Sequence, residues 1–140
     1  MDFGTIFAAL YIGHYLADYY VQTNHQARHK GWVGGSSWEG RWNAAKHAFT
    51  YTLTLAGVLG VVAGATGSAG ELSAGVVGAL LAANGLTHYI IDRRWTLEAF
   101  ARKIGKSGWI DGDREALPKL DQAAHIVILG AVALGIVLWA

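Results

Sequence analysis

Four histidines, each with an acid or amide four residues away, are the residues of this chain whose types and spacing can do chemistry. His14 precedes Asp18 and His88 precedes Asp92, in the segments His14-Tyr15-Leu16-Ala17-Asp18 and His88-Tyr89-Ile90-Ile91-Asp92. Asn43 precedes His47 and Asp121 precedes His125, in Asn43-Ala44-Ala45-Lys46-His47 and Asp121-Gln122-Ala123-Ala124-His125. Residues four apart share one face of a helix. Imidazole and carboxylate together ligate Zn, Mn or Fe, and helix bundles commonly build such sites from facing helices. The expected ligands of a divalent transition metal are therefore His14, Asp18, His47, His88, Asp92, Asp121 and His125, supported from outside by Gln22, Asn43 and Gln122. The alternative is a His–Asp hydrogen-bond network that only pins helices together. Bis-His haem fits less well, because haem does not call for an Asp one turn from three of the histidines.

The elements that must hold these residues are apolar. The chain has 140 residues, room for one domain, with 53% hydrophobic residues and a mean hydropathy of +0.29. Charged residues make up 15% and are gathered into two blocks. Between the blocks lie four apolar stretches, at about residues 3–22, 47–66, 72–91 and 121–140. Each matches the roughly 20 residues that cross a bilayer core as a helix. The second stretch has no charge between Lys46 and Glu71, and the fourth has none from Ile126 to Ala140. A water-soluble helix needs a polar face. The expected fold is all-α, an integral membrane four-helix bundle, with residues 1–140 as a single transmembrane domain.

Basic residues orient it. All 11 Lys and Arg fall in segments 23–46 and 92–120, so the positive-inside rule makes these the cytoplasmic loops and leaves both termini outside. The expected location is the cytoplasmic (inner or plasma) membrane. The N-terminus lacks a basic run and a convincing cleavage site, so the first stretch reads as a retained helix. Trp32, Trp38, Trp42, Trp95 and Trp109 fall in the two cytoplasmic segments, as headgroup-layer indoles would, and Trp139 would anchor the outer end. Arg93–Lys106 interleaves basic residues with Trp95, Leu97, Phe100 and Ile104, which reads as a short interfacial helix or a solvated connector. Gly34-Gly35-Ser36-Ser37 reads as a bend. The pairs Gly60/Gly64, Ala74/Gly78 and Ala131/Gly135 would allow close helix packing in lipid. Net charge is +1, so bulk charge argues neither for nor against nucleic acid, and no such partner is expected. There is no Cys, hence no disulfide or thiolate metal site.

The polar motifs form an internal repeat, a helical hairpin used twice. His comes first on helices that run inward, and the acid or amide comes first on helices that run outward. In both orders the His lies deeper and its partner about 6 Å nearer the cytoplasm. Converging faces would give a deep layer of His14, His47, His88 and His125 above a layer of Asp18, Asn43, Asp92 and Asp121. Ionisable groups inside a membrane are costly and usually face the bundle interior. His25 and His29 repeat the spacing but read as solvated, and Asp111 and Asp113 read either as loop ligands or as a turn around Gly112.

His14-xxx-Asp18-xxx-Gln22-Thr23, then Lys30, His47, Thr87-His88-xxx-Asp92 and Asp121-Gln122-xx-His125, resemble the pattern of domain-of-unknown-function family 3307 over nearly the whole chain. The resemblance implies a small bacterial or phage integral membrane protein of four helices and supplies no activity. More loosely, the His/Asp arrangement is similar to that of membrane-bound metal-dependent hydrolases. Three functions stay open. The first is a His/Asp metal centre near the cytoplasmic face that hydrolyses a lipid-like substrate. The second is a metal-ion or proton carrier or channel element, which would need to oligomerise as a homo-oligomer. The third is a non-enzymatic phage or host accessory protein that binds another membrane protein. No G-x-S-x-G motif is present, so covalent Ser catalysis has no support.

Overall fold

The computed structural model describes residues 1–31 and 38–140. Trp32 and the Gly34-Gly35-Ser36-Ser37 bend lie outside the described residues. Among the described residues the chain is all-α, with seven α-helices and no strand. They are α1 (Phe3–Leu16), α2 (Asn24–His29), α3 (Trp38–Ala65), α4 (Ala74–Asp92), α5 (Trp95–Lys103), α6 (Ser107–Gly112) and α7 (Ala116–Trp139). A π turn, Ala17–Val21, continues α1, and a 3-10 turn, Ala69–Glu71, joins α3 to α4.

Local chemistry sets the helix ends. The Asp2 carboxylate accepts from the Thr5 amide at 2.9 Å and caps α1. Thr23 and Gln26 form a reciprocal capping box on α2. Ser73 caps α4 through the Val76 amide. Pro118 lies in the first turn of α7, where its missing N–H breaks no helical bond. Gly67 (φ 72°) and Gly105 (φ 84°) terminate α3 and α5 in the left-handed conformation. Each lets the next amide reach back, Ser68 to the Ala63 carbonyl and Lys106 to the Ala101 carbonyl.

The long helices pack around one core. α1 lies against α3 and α7, and α4 lies against the same two helices. Ile6, Leu10, Leu55, Leu59, Leu81, Leu129 and Ile136 fill the interior. Ile12, Phe49, Leu53, Val61, Leu86, Val127 and Leu134 stand exposed on the outside. The Met1 ammonium pairs with Glu71 at 3.1 Å, and the Ser73 amide donates to the Ala140 carbonyl at 3.1 Å. Both termini and the α3–α4 turn thus share one end of the molecule. The connectors that contain α2, α5 and α6 lie at the other.

Among the described residues, three helices are long and apolar enough to cross a membrane by themselves: α3 with 28 residues, α4 with 19 and α7 with 24. The first expected span divides, because α1 stops after 14 residues and the backbone widens into the π turn. There the Gln22 amide reaches Ala17 at 2.8 Å, one residue further than in an α-helix. The helix that contains the second expected span, α3, begins at Trp38, well before residue 47, and carries Asn43 on its own second turn.

The small-residue pairs are also redistributed. Gly60, Gly64 and Gly78 face open space, and only Gly135 of those pairs packs tightly, against Leu80 and Trp139. The close approaches occur at Gly13 against the Leu55 backbone, and at Gly85, where an added methyl group would collide with Thr52.

Candidate metal centre

Each long helix delivers one histidine to the interior. His14, His47, His88 and His125 are all buried, and their rings form a connected cluster. Ring centres are 5.3 Å apart for His14 and His125, 4.3 Å for His88 and His125, and 5.0 Å for His47 and His88. The convergence follows from the i, i+4 stripes, because each stripe lies on the face that its helix turns to the core.

The acids then sort themselves around two imidazole nitrogens. His47 Nε2 and His88 Nε2 approach to 3.0 Å. Asp92 Oδ2 lies 3.1 Å from His88 Nε2 and 3.5 Å from His47 Nε2. On α1, Asp18 Oδ1 lies 3.1 Å from His47 Nε2 and 3.7 Å from His88 Nε2. Four ligands at tetrahedral positions about 2.0 Å from zinc are about 3.3 Å from each other. The two triangles formed by the Nε2 pair with either carboxylate have edges of that size. A direct contact between the two nitrogens as a hydrogen bond requires one ring to donate and the other to accept. The flanking carboxylates only accept when ionised, so one imidazole N–H cannot serve every acceptor around it.

Other groups are placed less as the spacing suggests. His14 Nε2 donates to Gln122 Oε1 at 3.3 Å, and its Nδ1 is 3.9 Å from Asp18 Oδ2. Asp121 Oδ2 lies 4.0 Å from His125 Nδ1, within ion-pair reach but without a hydrogen bond. Asp92, Asp121 and His125 each offer a ligand atom within 4.8 Å of the others. Asn43 is absent from the acid layer: its amide donates to the Glu39 carbonyl at 3.0 Å and meets His25 Nε2 at 3.4 Å. The reason is that the start of α3 is covered by α2, so the nearest polar partners there are the Glu39 carbonyl one turn back on α3 and His25 of α2. The Gln22 amide nitrogen is buried without a hydrogen-bond partner among the described residues. His25, His29 and Glu39 make a separate surface group, with His25 Nε2 at 3.3 Å from Glu39.

Asp111 and Asp113 are occupied by structural contacts in the connector. Asp111 binds Arg102 at 2.8 Å, which lowers the Asp111 carboxyl from its ordinary range and raises the Arg102 guanidinium. Asp113 is lowered first by the Glu115 backbone amide at 2.8 Å and then by Trp109.

Two residues of the centre escape a reading of His/Asp spacing. Lys30, at the end of α2, places its ammonium 3.0 Å from Asp92 Oδ2, with 11% and 2% of the two side chains exposed. The Arg93 guanidinium in turn donates to the Lys30 carbonyl at 3.3 Å, which holds the end of α2 over the acids. Tyr51 stacks on His88 with ring centres 3.7 Å apart. Its signal was its position, four residues beyond His47 on the same stripe, and Asn84, which donates to the Tyr51 hydroxyl at 3.5 Å, stands likewise four before His88. Asp18 sits in the first residues of the π turn, a conformation frequent at functional sites and invisible in side-chain periodicity.

Comparison with known proteins supports the relationship that these motifs suggested. The family described as Protein of unknown function (DUF3307) matches residues 6–139. No curated protein and no solved structure matches the chain. With nearly its whole length matched, from α1 to the end of α7, and with all four histidines inside the match, the chain belongs to the family of proteins of unknown function DUF3307.

Proposed function

We propose that this chain is an integral membrane protein in which α1 with its π turn, α3, α4 and α7 cross the bilayer, and in which His47, His88, Asp92 and Asp18 hold a divalent transition metal near the cytoplasmic face. The observation that carries the reading is the triangle of His47 Nε2, His88 Nε2 and Asp92 Oδ2, with edges of 3.0, 3.1 and 3.5 Å inside a buried cluster. Membrane insertion is supported by the exposed aliphatic surface of the long helices, which water would not tolerate over so large an area. The orientation is supported by the placement of all 11 Lys and Arg at the end opposite the termini. Trp95, Phe100 and Ile104 are exposed on and just beyond α5, as an interfacial helix would have them.

An ion that takes more than four ligands, such as Mn(II), would keep a position for water beside these two imidazoles and two carboxylates, and would lower that water's pKa and polarise a phosphoryl or acyl oxygen. The chemistry that fits is hydrolysis of an amphipathic, lipid-like substrate at headgroup depth, with a carboxylate as general base. The carrier reading has weaker support, because the four imidazoles are clustered rather than strung along the helix axes.

The test is elemental analysis of protein purified in detergent without chelator, then re-titrated with Zn(II) and Mn(II). Wild type should retain or take up metal. His88→Ala should lose it, and His29→Ala, altered only in the surface group, should keep it. A wild type that neither carries nor takes up metal would leave the cluster as a hydrogen-bonded network and the chain as a binding partner.

A further inference from the structure

The cluster contains more ligating atoms than one ion uses, and they fall into three overlapping groups: His14, Asp18 and His88; His47, His88 and Asp92; and Asp92, Asp121 and His125. The first two share His88, and Asp92 joins the second to the last, on α7. The last group shows its own sign of an absent partner. His125 is 2% exposed, yet neither of its ring nitrogens has a hydrogen-bond partner among the described residues. Asp121 Oδ1, from the preceding turn of α7, is buried and unpartnered as well. His14 differs, since its Nε2 is taken by Gln122. Buried polar atoms are nearly always satisfied, and those that are not point to an unseen water or ion. The lone-pair nitrogen of a neutral imidazole, left idle beside an idle carboxylate oxygen, is a ligand for a cation and not for an anion.

The geometry points to a two-metal centre: a second divalent transition-metal ion bound by His125 and Asp121, with Asp92 bridging it to the ion on His47 and His88. This rests on the metal reading above and extends it. Charge sets the order of filling. Asp18, Asp92 and Asp121 with the Lys30 ammonium leave two formal negative charges, which the first ion balances. The second ion brings an excess of positive charge, so it binds more weakly and favours a hydroxide between the ions. Paired ions about 3.5–4 Å apart hold such a hydroxide as the attacking group and stabilise the leaving oxygen in phosphoryl and acyl hydrolysis.

The experiment is a Mn(II) titration of chelator-treated, detergent-purified full-length protein, read by equilibrium dialysis and by electron paramagnetic resonance. Wild type should bind two Mn(II) per chain in sequence, with a spin-coupled signal emerging as the second binds. His125→Ala and Asp121→Asn should each bind one Mn(II), with no coupling, and retention of that ion reports that the variants are folded. His29→Ala should keep both ions and the coupling. Saturation of wild type at one ion overturns the second position while leaving the metal reading intact. A second ion that survives in His125→Ala but disappears in His29→Ala assigns it to the surface group and also overturns the proposal. Binding of no ion by wild type overturns the underlying metal reading itself.

Discussion

Replacing Lys30 by Met separates the two roles that Asp92 can play. Lys30 Nζ lies 3.0 Å from Asp92 Oδ2, and both side chains are nearly sealed from solvent. At that distance and an effective dielectric of about 20, the gross attraction is about 5–6 kcal/mol. Desolvation offsets much of it, but removing one partner leaves the other charge buried alone, which costs about 3–5 kcal/mol. With chelator present, Lys30→Met should therefore melt on the order of 10 °C below wild type. Metal binding should move the opposite way. The ammonium occupies Oδ2, the oxygen that also faces His47 and His88, so it competes with the ion for that atom. A tenfold gain in affinity corresponds to about 1.4 kcal/mol, well below the gross attraction that the ammonium exerts. Lys30→Met should then bind Mn(II) about tenfold more tightly or better, and saturating metal should recover much of the lost melting temperature through linkage. The assays are thermal unfolding in detergent with chelator and with excess Mn(II), and equilibrium dialysis. An unchanged melting temperature in chelator would refute the buried pair. Weaker Mn(II) binding by the variant would refute competition for Asp92 and make Lys30 a support of the site.

Two further outcomes test the frame around the site. Cysteines placed at Ser68 and Ser107 report orientation in intact cells: an impermeant thiol reagent should label only Ser68→Cys, and labelling of Ser107→Cys would overturn the proposed topology. Gly13→Ala puts a Cβ 3.3 Å from the Leu55 Cα, a backbone neighbour that cannot swing aside. It should destabilise the α1–α3 contact by about 1–2 kcal/mol. Gly57→Ala meets nothing within 4 Å. It should be neutral or stabilising by roughly 0.5–1 kcal/mol, so equal melting temperatures for the two variants would show that α1 and α3 do not pack this closely.

The chain's own order of residues determined a good part of this protein. Its all-α class followed from long uninterrupted apolar runs, and the meeting of His14, His47, His88 and His125 followed from polar residues at i, i+4 on otherwise apolar helices. One exposed polar stripe on each of several apolar helices has a single cheap destination, the shared interior. Family membership was also legible, because it resides in the same spaced residues. The tertiary structure decided what spacing does not encode. Reading each His with the acid of its own helix predicts His14 with Asp18 and Asn43 with His47. In the folded chain Asp18 is nearer His47, and Asn43 turns to α2. Which helix face meets which neighbour depends on rotation and depth between helices, set here by contacts such as Gly13 on Leu55 and by the π turn that carries Asp18. Neither leaves a mark on the period of hydrophobicity. Lys30 belongs to the same class. In sequence it is a position of the family pattern with no partner attached, and only the packing of α2 on α3, with Lys30 at its end, puts its ammonium on Asp92, because ion pairing across 62 positions of chain is a property of three-dimensional proximity alone.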